Sequence, residues 1–168
     1  MQLNSLKDLY VEELRDLYSA ETQLVNALPK MAQAASSSDL KQAFQNHLDE
    51  TRTQKQRLEQ IFSEMGASPQ GKTCEAMQGL IKEGEDVIQS MGDPQVKDAA
   101  LIAAAQRVEH YEIAGYGVVR TFADELGFSN AKSLLQKTLD EEGSADKKLT
   151  SIAEGGIFSK GINEKAMA

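Results

Sequence analysis

Apolar residues recur three and four apart through Leu6, Leu9, Leu14, Leu17, Leu24, Leu28 and Met31, a period that predicts a first helix over about residues 5–35. The run "SSSD" at 36–39 supplies turn and N-cap chemistry. The helical period then resumes through Leu40, Ala43, Phe44, Leu48, Leu58, Ile61 and Phe62, predicting a second helix that ends near Gly66. So short a joint lays the two helices antiparallel. Next, "TCEAMQGLIKEGEDVIQSM" carries Met77, Leu80, Ile81, Val87 and Ile88 at the spacing of a shorter helix, weakened by Gly79 and Gly84 and stopped by "GDP" at 92–94. A third long helix is predicted over about 95–126, broken by "GFSN", and a fourth over about 131–153 through Leu134, Leu135, Leu139, Leu149 and Ile152. The reading is one bundle over 1–154 and a flexible tail over 155–168.

Connector lengths then set the topology. A helix of about 26 residues is roughly 39 Å long, so a helical connection of about 30 residues between the second and third helices returns the chain to its starting end. The expected fold is all-α: a ferritin-like four-helix bundle with one long crossover containing an additional short helix.

Polar residues interrupt the inward lines at matching places. In heptad steps the lines read Leu14, Glu21, Leu28; Leu40, His47, Gln54, Ile61; Ile102, Glu109, Tyr116, Ala123; and Leu135, Glu142, Leu149. Glu50 lies beside the second line, Glu112 one turn beyond Glu109 and Asp146 one turn beyond Glu142. Counting from the turns, the six acids Glu21, Glu50, Glu109, Glu112, Glu142 and Asp146 fall within two or three residues of one level, about 3–5 Å. The same count sets His47 on the far side of Glu50 from the acids, a further candidate ligand. Like charges so close resist common ionisation, and Arg107 and Arg120 flank the acids without matching their lines. Bound metal ions are the partner such a layer calls for. A nearly all-oxygen shell suits iron or manganese better than zinc or copper.

Composition narrows the setting. The 168 residues carry 40% hydrophobic and 5% aromatic side chains and no Trp, as in a helical protein. A formal charge of -8 argues against nucleic acid or an anionic membrane as partner. No apolar run approaches the roughly 20 residues of a membrane span. One cysteine, Cys74, forms no internal disulfide, and "MQLNSLKDLY" lacks a secretion-signal pattern, so a cytoplasmic setting is expected.

The motifs "YSAETQL", "HLDET", "KTCEAMQGLI", "DAALIAAAQRVEHYEIAGYG" and "LDEEGSADKKLT" together resemble the YciF-like family of ferritin-like bacterial stress-response proteins, over roughly residues 5–153. The resemblance implies a dinuclear metal centre, a homodimer and a role in stress response, with the family's acidic positions at Glu21, Glu50, Glu109, Glu112, Glu142 and Asp146. One departure stands out. Di-iron bundles commonly carry Glu-x-x-His on two helices, whereas here the second helix reads His47-Leu-Asp-Glu50 and the fourth Glu142-Gly-Ser-Ala-Asp146. Around the acids, His110 is read as an outer or surface residue, Tyr18 and Tyr116 as packing residues within reach of the site, and Cys74 as structural. The leading expectation is a protein with two metal ions that reacts with oxygen or peroxide. Its rival is a non-catalytic stress or scaffold protein with a structural metal site.

Overall fold

The computed structural model describes residues 4–156 and 159–167. Residues 1–3, at the start of the expected bundle, and 157, 158 and 168, in the expected tail, lie outside the described residues. Five helices carry the fold: α1 (Leu6–Ala34), α2 (Ser38–Glu64), α3 (Glu75–Gln89), α4 (Pro94–Glu125) and α5 (Ser129–Glu154). A hairpin of β1 (Gly155–Gly156) and β2 (Ser159–Lys160) and a single turn, α6 (Ile162–Lys165), follow.

Local chemistry sets the boundaries. The Ser5 hydroxyl accepts from the Asp8 N–H at 3.1 Å to start α1, and Ser37 caps α2. The Asp93 carboxylate accepts from Gln95 and Val96 ahead of Pro94 to start α4. Gly66 at φ 63° and Gly127 at φ 75° supply the left-handed residues that follow α2 and α4. Cys74 caps α3 through its Sγ, 3.4 Å from the Met77 N–H. Burial, followed by its hydrogen bonding with Asp16, pushes the thiol above its ordinary range. This fits a structural cysteine.

Side-chain partners give the helix directions. Between α2 and α5 they are Gln54 with Glu141, Arg57 with Thr138 and Glu64 with Asn130, so one index rises as the other falls. Between α4 and α5 they are Gln106 with Thr150 and Arg120 with Gln136. Both pairs are antiparallel, which makes α2 and α4 parallel and requires α3 to carry the chain back along the bundle. Close approach of α1 and α4 depends on Gly115, where an added Cβ would stand 2.8 Å from Leu17 Cδ2.

Two apolar cores fill the bundle. One gathers Leu24, Leu28, Leu40, Phe44, Met77, Leu101, Ile102 and Leu149, and the other Tyr10, Leu14, Leu58, Ile61, Phe62, Tyr116, Val119 and Leu135. On every long helix the polar break falls between these two sets. The segment read from the sequence as a tail folds back: Ile162 is 4% exposed and joins the first core. Gly161 permits this, because a Cβ there would lie 2.3 Å from the Ala153 carbonyl oxygen. Among the described residues no helix is long and apolar enough to cross a membrane.

Candidate metal centre

Between the two cores lies a layer of buried polar side chains: Glu21 from α1; His47, Thr51 and Gln54 from α2; Glu109 and Glu112 from α4; Thr138 and Glu142 from α5. His47, Glu109, Glu112 and Glu142 each bring a ligand atom to a common point, all within 4.8 Å of one another. Atoms bound to one ion at about 2.0–2.6 Å lie at most about 5 Å apart, so this span is that of a coordination shell. His47 Nε2 stands 3.2 Å from Glu109 Oε1 and 3.9 Å from Glu142 Oε2.

Glu21 joins the layer from α1, accepting a hydrogen bond from the Tyr116 hydroxyl through Oε1 while its Oε2 has no partner. Glu50 and Asp146 are placed differently. The Glu50 side chain is 49% exposed, with Oε2 3.5 Å from His47 Nδ1. Asp146 accepts from Gln106 at 3.1 Å and faces His110 Nε2 at 3.4 Å. The reason is angular: at about 100° per residue Glu50 lies some 80° off the line through Leu40 and Leu58, whereas His47 lies within about 20° of it. The height count set His47 apart from the acids, yet the structure seats it among them. His110 itself is largely exposed, and the Tyr18 hydroxyl donates to Glu59, away from the layer.

Patterning did not single out Arg57. Its guanidinium makes a two-pronged bond to Glu141, with Nη2 to Oε1 at 2.7 Å, and also donates to Thr138. Gln54 donates to the same Glu141 carboxylate. Arg57 lies about 100° off the inward line of α2, so heptad patterning carried no signal for it. Because Arg57 is committed to Glu141, the four clustered groups have no lysine or arginine partner among the described residues.

Electrostatics follow from this arrangement. Burial raises Glu21 to about 8 despite its Tyr116 hydrogen bond and the nearby His47 charge. Burial also pushes Glu112 and Glu142 well above the carboxylate range, helped by the neighbouring acids. For His47 burial works the other way, but Glu109, Glu50 and Glu142 outweigh it and raise the imidazole well above its ordinary value. Such shifts mark a site whose charge is unbalanced in the metal-free chain.

The donors fit a metal. Both nitrogens of His47, Glu109 Oε2, Glu112 Oε1 and both oxygens of Glu142 are buried without a hydrogen-bond partner. Buried polar atoms are seldom left so, and one imidazole with three carboxylates is the donor set of a hard or borderline divalent ion.

A bundle with this crossover and an acidic layer at mid-height is a ferritin-like protein. The chain belongs to the family described as a domain of unknown function (DUF892), whose model matches residues 5–166. It is similar to Protein YciF of Escherichia coli (strain K12), 46% identical over 165 residues that cover 98% of this chain and 99% of that protein. The crystal structure of the E. coli stress protein YciF superposes with a TM-score of 0.86 at 48% identity, over 89% of this chain and 94% of that one. YcfI of Rhodopseudomonas palustris, whose description proposes a structural role, gives 0.87 at 43% identity over 90% and 97%. A dodecameric thioferritin of Bacteroides fragilis, related to bacterioferritin, shares the fold at 15% identity, with a TM-score of 0.67 over 88% and 84%.

Proposed function

We propose that this chain is a di-metal carboxylate protein acting in stress response, with iron as the metal and manganese as the alternative, reacting with oxygen or peroxide. The observation that carries the reading is the convergence of His47, Glu109, Glu112 and Glu142 with their buried oxygens and nitrogens unpartnered. Those four hold the first ion. Glu21 on α1 extends the layer toward a second, with Glu50 and Asp146 completing the acidic set from its rim. When bound, the ions supply redox chemistry and open positions for an oxidant.

The residues have separate tasks. Glu109, Glu112 and Glu142 neutralise cationic charge inside a dry core. Tyr116 fixes the rotamer of Glu21 by donating a hydrogen bond to its Oε1. Arg57 and Gln54 hold Glu141 outward, keeping that carboxylate out of the shell. The stress role comes from the similar E. coli protein, and a homodimer is proposed with it. One buried free thiol supports a reducing, cytoplasmic setting.

Elemental analysis tests the reading. Purified protein should carry about two ions per chain, and Glu142→Ala should lose most of them while staying helical by circular dichroism. Wild-type protein without metal after loading with Fe(II) or Mn(II) would end the proposal. The description of the R. palustris relative favours a second reading, a structural metal site without turnover. Adding peroxide to the iron-loaded protein decides between them: a change in the visible spectrum supports reaction, and its absence supports the structural reading.

A further inference from the structure

One unpartnered atom of the polar layer belongs to neither a carboxylate nor an imidazole: Oε1 of Gln54, a residue that is 1% exposed. An amide carbonyl buried in this way costs free energy until it meets a donor or a cation. Its orientation is fixed. Gln54 Nε2 donates to Glu141 Oε2 at 3.2 Å, and the Arg57 guanidinium holds the same carboxylate with two bonds. Turning the amide over would set its oxygen against Glu141, acceptor facing acceptor. The clamp therefore keeps Oε1 away from Glu141 and free for another partner.

Register places this carbonyl at the Glu21 end of the layer. Gln54 bonds Glu141, the chain neighbour of Glu142, whose two oxygens are also unpartnered. On α1, which meets α2 through the turn at 35–37, Tyr18 donates to Glu59, so Glu21 falls opposite residue 56, about 3 Å along the axis from Gln54. Electrostatics agree with this. Burial raises Glu21, and the Arg57 charge, three residues beyond Gln54, is among those that pull it back. Tyr116 occupies Glu21 Oε1 and leaves Oε2 open. His47 and Gln54 stand one heptad apart on the inward line of α2, about 10 Å along the axis. Helical side chains lean toward the N-terminus, which carries Gln54 back toward the middle of the layer. One helix thus offers a neutral donor at each end of the acids.

We infer that Gln54 Oε1 is a ligand of the second ion, which shares an all-oxygen shell with Glu21 and Glu142 while the first ion keeps the His47 imidazole. This rests on the proposed metal centre and adds to it a donor from outside the acidic set. A carbonyl with two carboxylates suits a hard cation such as Mn(II).

Equilibrium dialysis with Mn(II), read beside electron paramagnetic resonance, tests the assignment. Wild type should hold about two ions per chain, close enough for their spins to couple. Gln54→Leu should bind the second ion at least about tenfold more weakly and show the signal of isolated Mn(II), because even partners behind a ligand are worth that much. Gln54→Glu restores an oxygen and should restore the coupled pair. If Gln54→Leu fails to fold by circular dichroism, Gln54→Asn, whose amide is one methylene shorter, should show the same loss. A coupled pair at wild-type affinity in the variant read would mean that Oε1 meets only a buried water, overturning the inference while the metal centre stands. Loss of the second ion in Gln54→Glu as well would assign the effect to the Glu141 clamp and overturn it too. A wild type holding a single ion overturns it with the His47 site intact, and a wild type holding none ends both readings.

Discussion

Two regions of α4 bury carboxylates, and they do so in opposite ways. Near its start Asp98 is 2% exposed and accepts the N–H groups of Ser36 and Ser37 at 2.8 and 2.7 Å, stitching α4 to the turn between α1 and α2. Three turns on, Glu109 and Glu112 are equally buried but face other acids, with oxygens left unpartnered. A buried acid met by fixed donors is a structural joint. A buried acid facing only acids and a histidine is a site that could hold a cation.

The contrast is broken most strongly at Asp98. Asp98→Ala strands two backbone donors in the joint and should cost about 3 kcal/mol. At this chain length that lowers the melting temperature by about 6–12 °C, read by thermal unfolding with or without metal. Glu142→Ala should instead leave folding intact and weaken metal binding at least about 100-fold, measured by equilibrium dialysis, because even partners behind a ligand are worth up to that much. Glu112→Gln should raise the stability of the metal-free protein by about 1–2 kcal/mol, since it removes an uncompensated buried acid. Urea unfolding in chelator checks this; a loss of stability would mean that the acid is already satisfied.

The pH dependence sharpens the comparison further. Glu21 has its folded value raised to about 8, so between about pH 4.3 and that value the folded chain binds the extra proton and stability falls as pH rises. Raised values at Glu112 and Glu142 act in the same direction. Urea midpoints of the metal-free protein should therefore decline from pH 5 to 8, and metal loading should abolish the decline. Asp16 behaves oppositely. Burial pushes it up, but hydrogen bonds with Cys74, Tyr111 and Lys72 outweigh this and hold it below the usual range. Its contribution is present above about pH 3.9 and disappears as pH falls through the lowered folded value. Asp16→Asn should flatten the acid limb alone. Least of all should change at the exposed pair Lys30 and Glu85: Lys30→Ala should move stability by under about 0.5 kcal/mol.

Helical periodicity was enough to read most of the fold. Leu6–Ala34 and Pro94–Glu125 lie within a residue of the ranges expected from apolar spacing, since caps such as Asp93 and glycines such as Gly66 mark the ends in one dimension. The crossover was legible from length alone. The polar layer was legible too, because Glu21, His47, Glu109 and Glu142 each break a heptad line of hydrophobes.

Which polar groups meet was another matter. Angular offsets along α2 turned Glu50 toward solvent and His47 inward, the Gln106 amide drew Asp146 to α4, and Arg57 found Glu141 across the bundle. Periodicity records the face on which a side chain lies, and so it determined the bundle and its acidic mid-level. Partners far apart along the chain come within reach only once helices cross at a definite height and angle, and that geometry alone decided the shell around His47, the capping role of Asp98 and the aim of the Gln54 carbonyl.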